Sequence, residues 1–172
     1  MAELFYLVSF ILVVVFLVAW IIAKNFASSL RAELAVILDG IITTDQVGSL
    51  HAYQSHYAAG EKPDLPYYLG TAVAEAPLME RMLPATAFLG PQLAFQIVSV
   101  NSMLAQVRRS LRDLYLDFCP NESVADALAE NIRLCRTIEL KGAKLVKDLG
   151  RFGSLSPFQY LLVATGMGKF DV

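Results

Sequence analysis

Residues 4–23 read LFYLVSFILVVVFLVAWIIA, twenty positions without a charge. Ser9 is the one clearly polar side chain in the run. A helix rises about 1.5 Å per residue, so twenty residues span roughly 30 Å, the hydrocarbon thickness of a bilayer. Tyr6 and Trp20 stand near its two ends, where amphipathic rings favour the membrane–water interface. A cleaved signal peptide fits poorly. No basic residue precedes the run, its apolar length exceeds the usual 7–15 or so, and no small-x-small cleavage site follows cleanly. The stretch reads as a retained transmembrane helix.

Its flanks give a direction. Only the amino terminus and Glu3 precede it, whereas Lys24 and Arg31 follow. The positive-inside rule then places the N-terminus outside and the remaining chain in the cytoplasm. The run has no GxxxG and no intramembrane ionisable group, so it reads as an anchor and not as a proton or ion path.

Composition agrees. The chain has 172 residues, 56% hydrophobic and 17% charged, against roughly 25% charged in average soluble domains. Mean hydropathy is +0.51. Fourteen basic and sixteen acidic residues leave a net charge of −2, which lacks the basic surface that nucleic acid requires. High apolar content with low net charge also excludes a disordered chain.

Beyond Lys24 the helical pattern continues. Leu30, Leu34, Ile37, Ile41, Thr44, Gly48 and His51 recur at alternating spacings of 4 and 3. That heptad-like seam predicts one unbroken helix from the membrane to about Tyr57. Ala58–Pro66 (AAGEKPDLP) is a loop, and LMERML between Pro77 and Pro84 predicts one or two helical turns. Gly90-Pro91 opens a helix whose stripe is the most regular in the sequence: Ile97, Val100, Leu104, Val107, Leu111, Leu114 and Phe118. Cys119-Pro120 is expected to end it. Asn121 or Ser123 caps the next helix, with Val124, Leu128, Cys135, Ile138, Leu145 and Leu149 on its apolar face. Asn131 and Gly142 fill the intervening seam positions, and Gly150 with Gly153 is expected to stop it. Pro157 is placed to start a last turn or two, PFQYLLVA. The short link between the two long helices makes them antiparallel neighbours. The predicted fold is all-α: one N-terminal transmembrane helix continuing into a three-helix antiparallel bundle. Residues 1–24 are the anchor, 25–153 the bundle domain and 154–172 an apolar tail.

No residue set carries catalytic chemistry. There is no P-loop, no GxGxxG after a strand, no G-x-S-x-G and no H-E-x-x-H. His51 and His56 are five apart, about 140° round a helix, whereas helical metal pairs use i, i+3 or i, i+4. His51 reads as a polar spacer on the seam and His56 as a surface residue. Haem ligation lacks a C-x-x-C-H motif. Asp113 with Asp117, and Asp126 with Glu130, are i, i+4 carboxylates. Di-iron bundles use Glu-x-x-His, and neither histidine has an acid three residues earlier, so these read as solvated faces. Cys119 and Cys135 fall roughly 20 Å apart by helix rise, too far for a disulfide. Cys135 reads as a small core residue. Arg108, Arg109 and Arg112 form the densest basic cluster. They reach the headgroups if their helix descends toward the bilayer. Otherwise they lie on a solvated face with Arg109 paired to Asp113.

Two absences of charge stand out: Met82–Val107, twenty-six residues, and Ser154–Gly168. The amides Gln92, Gln96, Asn101 and Gln106 make the first a poor membrane span. Both segments predict surfaces covered by neighbours.

The stretches Ala59-Gly60-Glu61-Lys62-Pro63-Asp64-Leu65-Pro66 and Phe88-Leu89-Gly90-Pro91-Gln92-Leu93 resemble those of uncharacterised bacterial single-pass membrane proteins, over about residues 4–118. The resemblance implies a membrane-anchored helical domain and transfers no functional residue; the last helix and the tail depart from it.

The expectation is a non-catalytic accessory subunit of a bacterial inner-membrane complex, respiratory or photosynthetic. It would touch the lipid bilayer and dock on other subunits through Met82–Val107 and Ser154–Gly168. No metal, cofactor, nucleic acid or small-molecule substrate is expected. A self-associating tether or signalling stalk is the alternative, followed by a haem or pigment carrier using His51 or His56.

Overall fold

The computed structural model describes residues 2–61, 76–81, 83–116 and 124–167, and these are helical throughout with no strand among them. The order is α1 (Ala2–Thr43), α2 (Gln46–Ala58), α3 (Pro77–Arg81), a 3₁₀ helix (Leu83–Leu89), α4 (Pro91–Tyr115), α5 (Val124–Gly153) and α6 (Pro157–Ala164). The all-α architecture with one long apolar N-terminal helix follows the sequence reading.

α1 is 42 residues long and changes surroundings at Ala23. From Leu4 to Ile22 its large side chains are bare except for the half-buried Phe16 and Trp20, with Phe5 at 70% and Phe10 at 67% exposure. Ala23, Ala27, Leu30, Leu34, Ile37, Leu38 and Ile41 are then buried. This helix is long and apolar enough to cross a membrane, and the apolar window is not covered by the rest of the chain. Apolar surface of that extent does not face water in a stable monomer.

The bundle is organised on α5, which packs against α1, α2 and α4. Trp20 meets Leu155, and Arg31 lies over Gly150. Leu38 covers Gly142, and Arg136 reaches His51. Rising numbers on one helix meet falling numbers on the other, so α5 is antiparallel to α1 and α2. Asn131 donates to Ser110 at 2.7 Å, which sets α4 antiparallel to α5 as well. The predicted stripe is buried on α4 at Ile97, Val100, Leu104, Val107 and Leu111. Leu114 is half-buried, and Phe118 lies outside the described residues. On α5 the predicted face is buried throughout, Asn131 and Gly142 included.

Two boundaries differ from expectation. The first helix does not run unbroken to Tyr57. Asp45 adopts the left-handed conformation (φ 42°, ψ 51°) and its carboxylate accepts the Gly48 N–H at 3.2 Å, capping a separate α2. The break shifts the phase. Gln46 and Leu50 become the buried positions, while Thr44 and His51 are exposed and Gly48 is half-buried. α4 ends at Tyr115, short of Cys119-Pro120, which lie outside the described residues together with Asp117, Asn121 and Ser123. α5 ends at Gly153 as expected, with Gly150 inside its last turn. Residues 78–81 of LMERML lie in α3, the helical turn expected between Pro77 and Pro84.

The crossover segment is held by a carboxylate. Glu33 of α1 accepts the N–H groups of Leu78 and Met79 at 2.8 and 3.0 Å, capping α3 from another helix. α6 carries its own capping box, with Ser156 and Gln159 exchanging side-chain-to-backbone bonds.

Gly90 joins the 3₁₀ helix to α4 at φ 83°, ψ 159°, a region open essentially to glycine alone. A Cβ there would meet the carbonyl oxygen of Val163 at 2.6 Å. Gly90→Ala is therefore expected to cost at least ~1–3 kcal/mol and to loosen α6. Thermal unfolding and amide exchange at residues 157–164 check this. An unchanged midpoint with unchanged protection would show that the α4–α6 approach does not need glycine.

Candidate membrane-boundary site

The features that set this chain apart converge where α1 passes from bare to buried. Trp20 donates its indole N–H to the Leu155 carbonyl at 3.2 Å. The Lys24 ammonium stands 4.7 Å from the centre of the same ring, within cation–π range. One turn earlier, Phe16 packs on Tyr160 of α6 at 5.8 Å between ring centres, and Tyr160 meets Phe152 edge-on at 5.9 Å. Three aromatic rings and an indole thus fasten α6 and the end of α5 to the boundary of the apolar run. The sequence alone placed Trp20 there; its bond to Leu155 spans 135 residues and left no local signal.

Immediately beyond this collar is a notch of about 430 Å³ lined by Lys24, Asn25, Ser28 and Arg31 of α1 and by Leu149, Gly150, Gly153 and Ser154. Small residues on the α5 side leave room for it. A Cβ at Gly150 would come within 3.3 Å of the Arg31 guanidinium carbon. The Arg151 Nη1, one residue on, is buried with no hydrogen-bond partner. Lys24 and Arg31 make the notch cationic.

The other sequence candidates lie elsewhere. His51 and His56 are both exposed and do not meet. Arg136 donates to His51 Nε2 at 2.9 Å, so that nitrogen acts as an acceptor, while His56 Nδ1 lies 2.6 Å from Glu61. His51 is therefore no buried spacer: the phase shift at Asp45 turned it outward. Glu130 is exposed and pairs with Arg133, whose guanidinium holds its carboxyl below the usual range; Asp126 is exposed. Among the described residues no three of His, Cys, Asp and Glu gather as metal ligands.

Arg108 bonds to Glu80 of α3, and Arg109 and Arg112 face solvent. Their helix does not descend to the bilayer. α4 starts beside α6, where Gly90 touches Val163 and Gly166 approaches Pro91, and runs parallel to α1. Arg108 lies seventeen residues beyond Pro91, about 25 Å further from the collar. The headgroup reading of this cluster is thereby overturned. The crossover reverses direction at the 3₁₀ helix, and so α4 departs from the boundary instead of arriving there.

Four buried polar groups escaped the sequence reading, Thr86 and Asn101 among them. Asp148 is fully buried on α5, and neither carboxylate oxygen has a hydrogen-bond partner. It sits three residues after Leu145 on the same apolar face, which its charge alone would not suggest. Gln46 is buried at the start of α2.

Cys135 is buried, and burial, aided by the nearby Glu139 charge, pushes its thiol up to about 12. Comparisons with protein-family models, curated proteins and solved structures find no match to this chain.

The thiol supplies a test of the packing. In a Cys119→Ser variant the folded chain should resist alkylation at about pH 8, where a free cysteine reacts readily, and become reactive on unfolding. The raised folded value also means stability is retained below about pH 9 and lost as the pH climbs toward about 12, because only the unfolded thiol ionises in that window. Rapid native alkylation would show the α5 core to be open.

Proposed function

We propose that this chain is a single-pass membrane protein, N-terminus outside, whose cytoplasmic helical domain serves as a non-catalytic accessory subunit of a larger bacterial inner-membrane complex. A respiratory or photosynthetic assembly is the natural host class. One observation carries the reading: apart from Phe16 and Trp20, the apolar run of α1 is uncovered from Leu4 to Ile22, yet the same helix continues into a packed domain. A helix of this kind needs an apolar solvent for one half and protein for the other. All fourteen lysines and arginines follow the run, which supports the orientation.

The accessory role rests on what the domain leaves uncovered. Phe88, Phe95 and Val98 are 54%, 75% and 47% exposed inside the uncharged Met82–Val107 segment. Phe95 borders a shallow cavity of about 190 Å³ with Gln96, Ser99, Val100, Lys141 and Lys144. Phe158, Leu161 and Met167 are exposed inside Ser154–Gly168. Neighbouring membrane subunits are the partners the Phe88–Phe95–Val98 face suits. The seam that favoured a self-associating stalk speaks less for it now, since Leu30, Leu34, Ile37 and Ile41 are spent on α5 within the chain.

Purification from native membranes in mild detergent, with mass spectrometry, tests the proposal. Other membrane chains should co-purify at fixed ratio, and Phe95→Asp with Val98→Asp should release them while leaving helicity intact. A homo-oligomer alone, with the wild-type surface, would contradict the accessory role.

A further inference from the structure

The second uncharged face has a more specific reading. It builds on the proposal that α1 spans the bilayer. We propose that α6 is a second membrane-contact element, lying in the cytoplasmic interface with its Phe158–Leu161 side in the lipid and the Lys24–Arg31 notch above it facing headgroup phosphates.

The depth of α6 carries the argument. Tyr160 packs on Phe16, and Phe16 lies seven residues inside the C-terminal end of the apolar run at Ala23. At about 1.5 Å per residue that is roughly 10 Å below the edge of the span. Interfacial helices bury their apolar side about 5–10 Å into the headgroup–acyl boundary. A bilayer that covers the run of α1 therefore meets α6 at the same level.

The chemistry of α6 agrees. Tyr160 faces inward against Phe16 and Phe152. Phe158 and Leu161, three apart, share the outward side at 68% and 43% exposure, and Met167 beyond them is 79% exposed. No charge interrupts Ser154–Gly168, whereas Arg151 and Lys169 stand at its two ends. The capping box pairs the Ser156 and Gln159 N–H groups within the chain, which lowers the cost of placing the start of α6 in an apolar layer. The cationic notch borders the start of this uncharged segment, with Ser154 among its lining residues. A protein partner on α6 would have to enter the same shallow lipid layer.

The test uses the full chain carrying Cys119→Ser, reconstituted in nanodiscs of phosphatidylcholine and phosphatidylglycerol that contain spin-labelled lipid. An environment-sensitive fluorophore is attached in turn at Phe158→Cys, Leu12→Cys and Leu140→Cys. Leu140, 76% exposed on α5, is the water-facing reference. The expected pattern is several-fold stronger quenching at 158 than at 140 by a label near the headgroups, with blue-shifted emission. At 12 the strongest quenching should come from a label at the bilayer centre. Quenching at 12 with water-like emission at 158 would overturn the role of α6 and leave the span standing. Absence of quenching at both would overturn the span itself. Equal quenching at 158 and 140 would also count against α6. Retained helicity, measured on each variant, keeps every outcome interpretable.

Discussion

Everything in this molecule depends on α1 passing, part-way along its length, from an uncovered apolar run into a packed core. The helix continues without a break through Ala23, so its backbone groups stay paired across the transition. The transition is made by α5, whose C-terminal half approaches the small residues Ala23 and Ala27 closely. Trp20, Phe16, Tyr160 and Phe152 then close the junction from the side. Without that junction the domain would hang from a bare rod with no fixed orientation. With it, the domain is seated against the place where the apolar run stops.

The domain itself is built on one helix. α5 touches α1, α2 and α4, whereas α1 and α4 meet chiefly through it. One face of this hub is buried, and two polar residues, Asn131 and Asp148, lie on it. Asn131 is accommodated through Ser110 and the Ala127 carbonyl. Asp148 is not, and a buried carboxylate without a partner is a cost to the fold. Glu33 gives the opposite case: a charged group on α1 satisfies two N–H groups of α3 and so anchors the crossover to the bundle.

Much of the architecture was legible because it is periodic. The span, the α4 stripe, the α5 face and the last short helix each declare themselves by spacing, by Gly-Pro or by Pro157. The break at Asp45 was hidden by coincidence. Thr44, Gly48 and His51 extend the heptad count, although none is a good core residue. The residues Thr43-Thr44-Asp45 are strong N-cap types and were the available signal. The boundary site was only half legible. Trp20 and Lys24 are local to the run, but α6 reaches them through contacts across more than 130 residues. The direction of α4, and with it the place of the Arg108 cluster, depended on how the crossover folds back, which no local pattern encodes.

The central claim is that lipid covers the exposed run of α1. An alkaline wash of isolated membranes tests it most directly, since it strips peripheral proteins but not spanning ones. The account predicts that the full chain stays in the membrane pellet and enters solution only with detergent. Release by alkali as a soluble, solitary chain would contradict it.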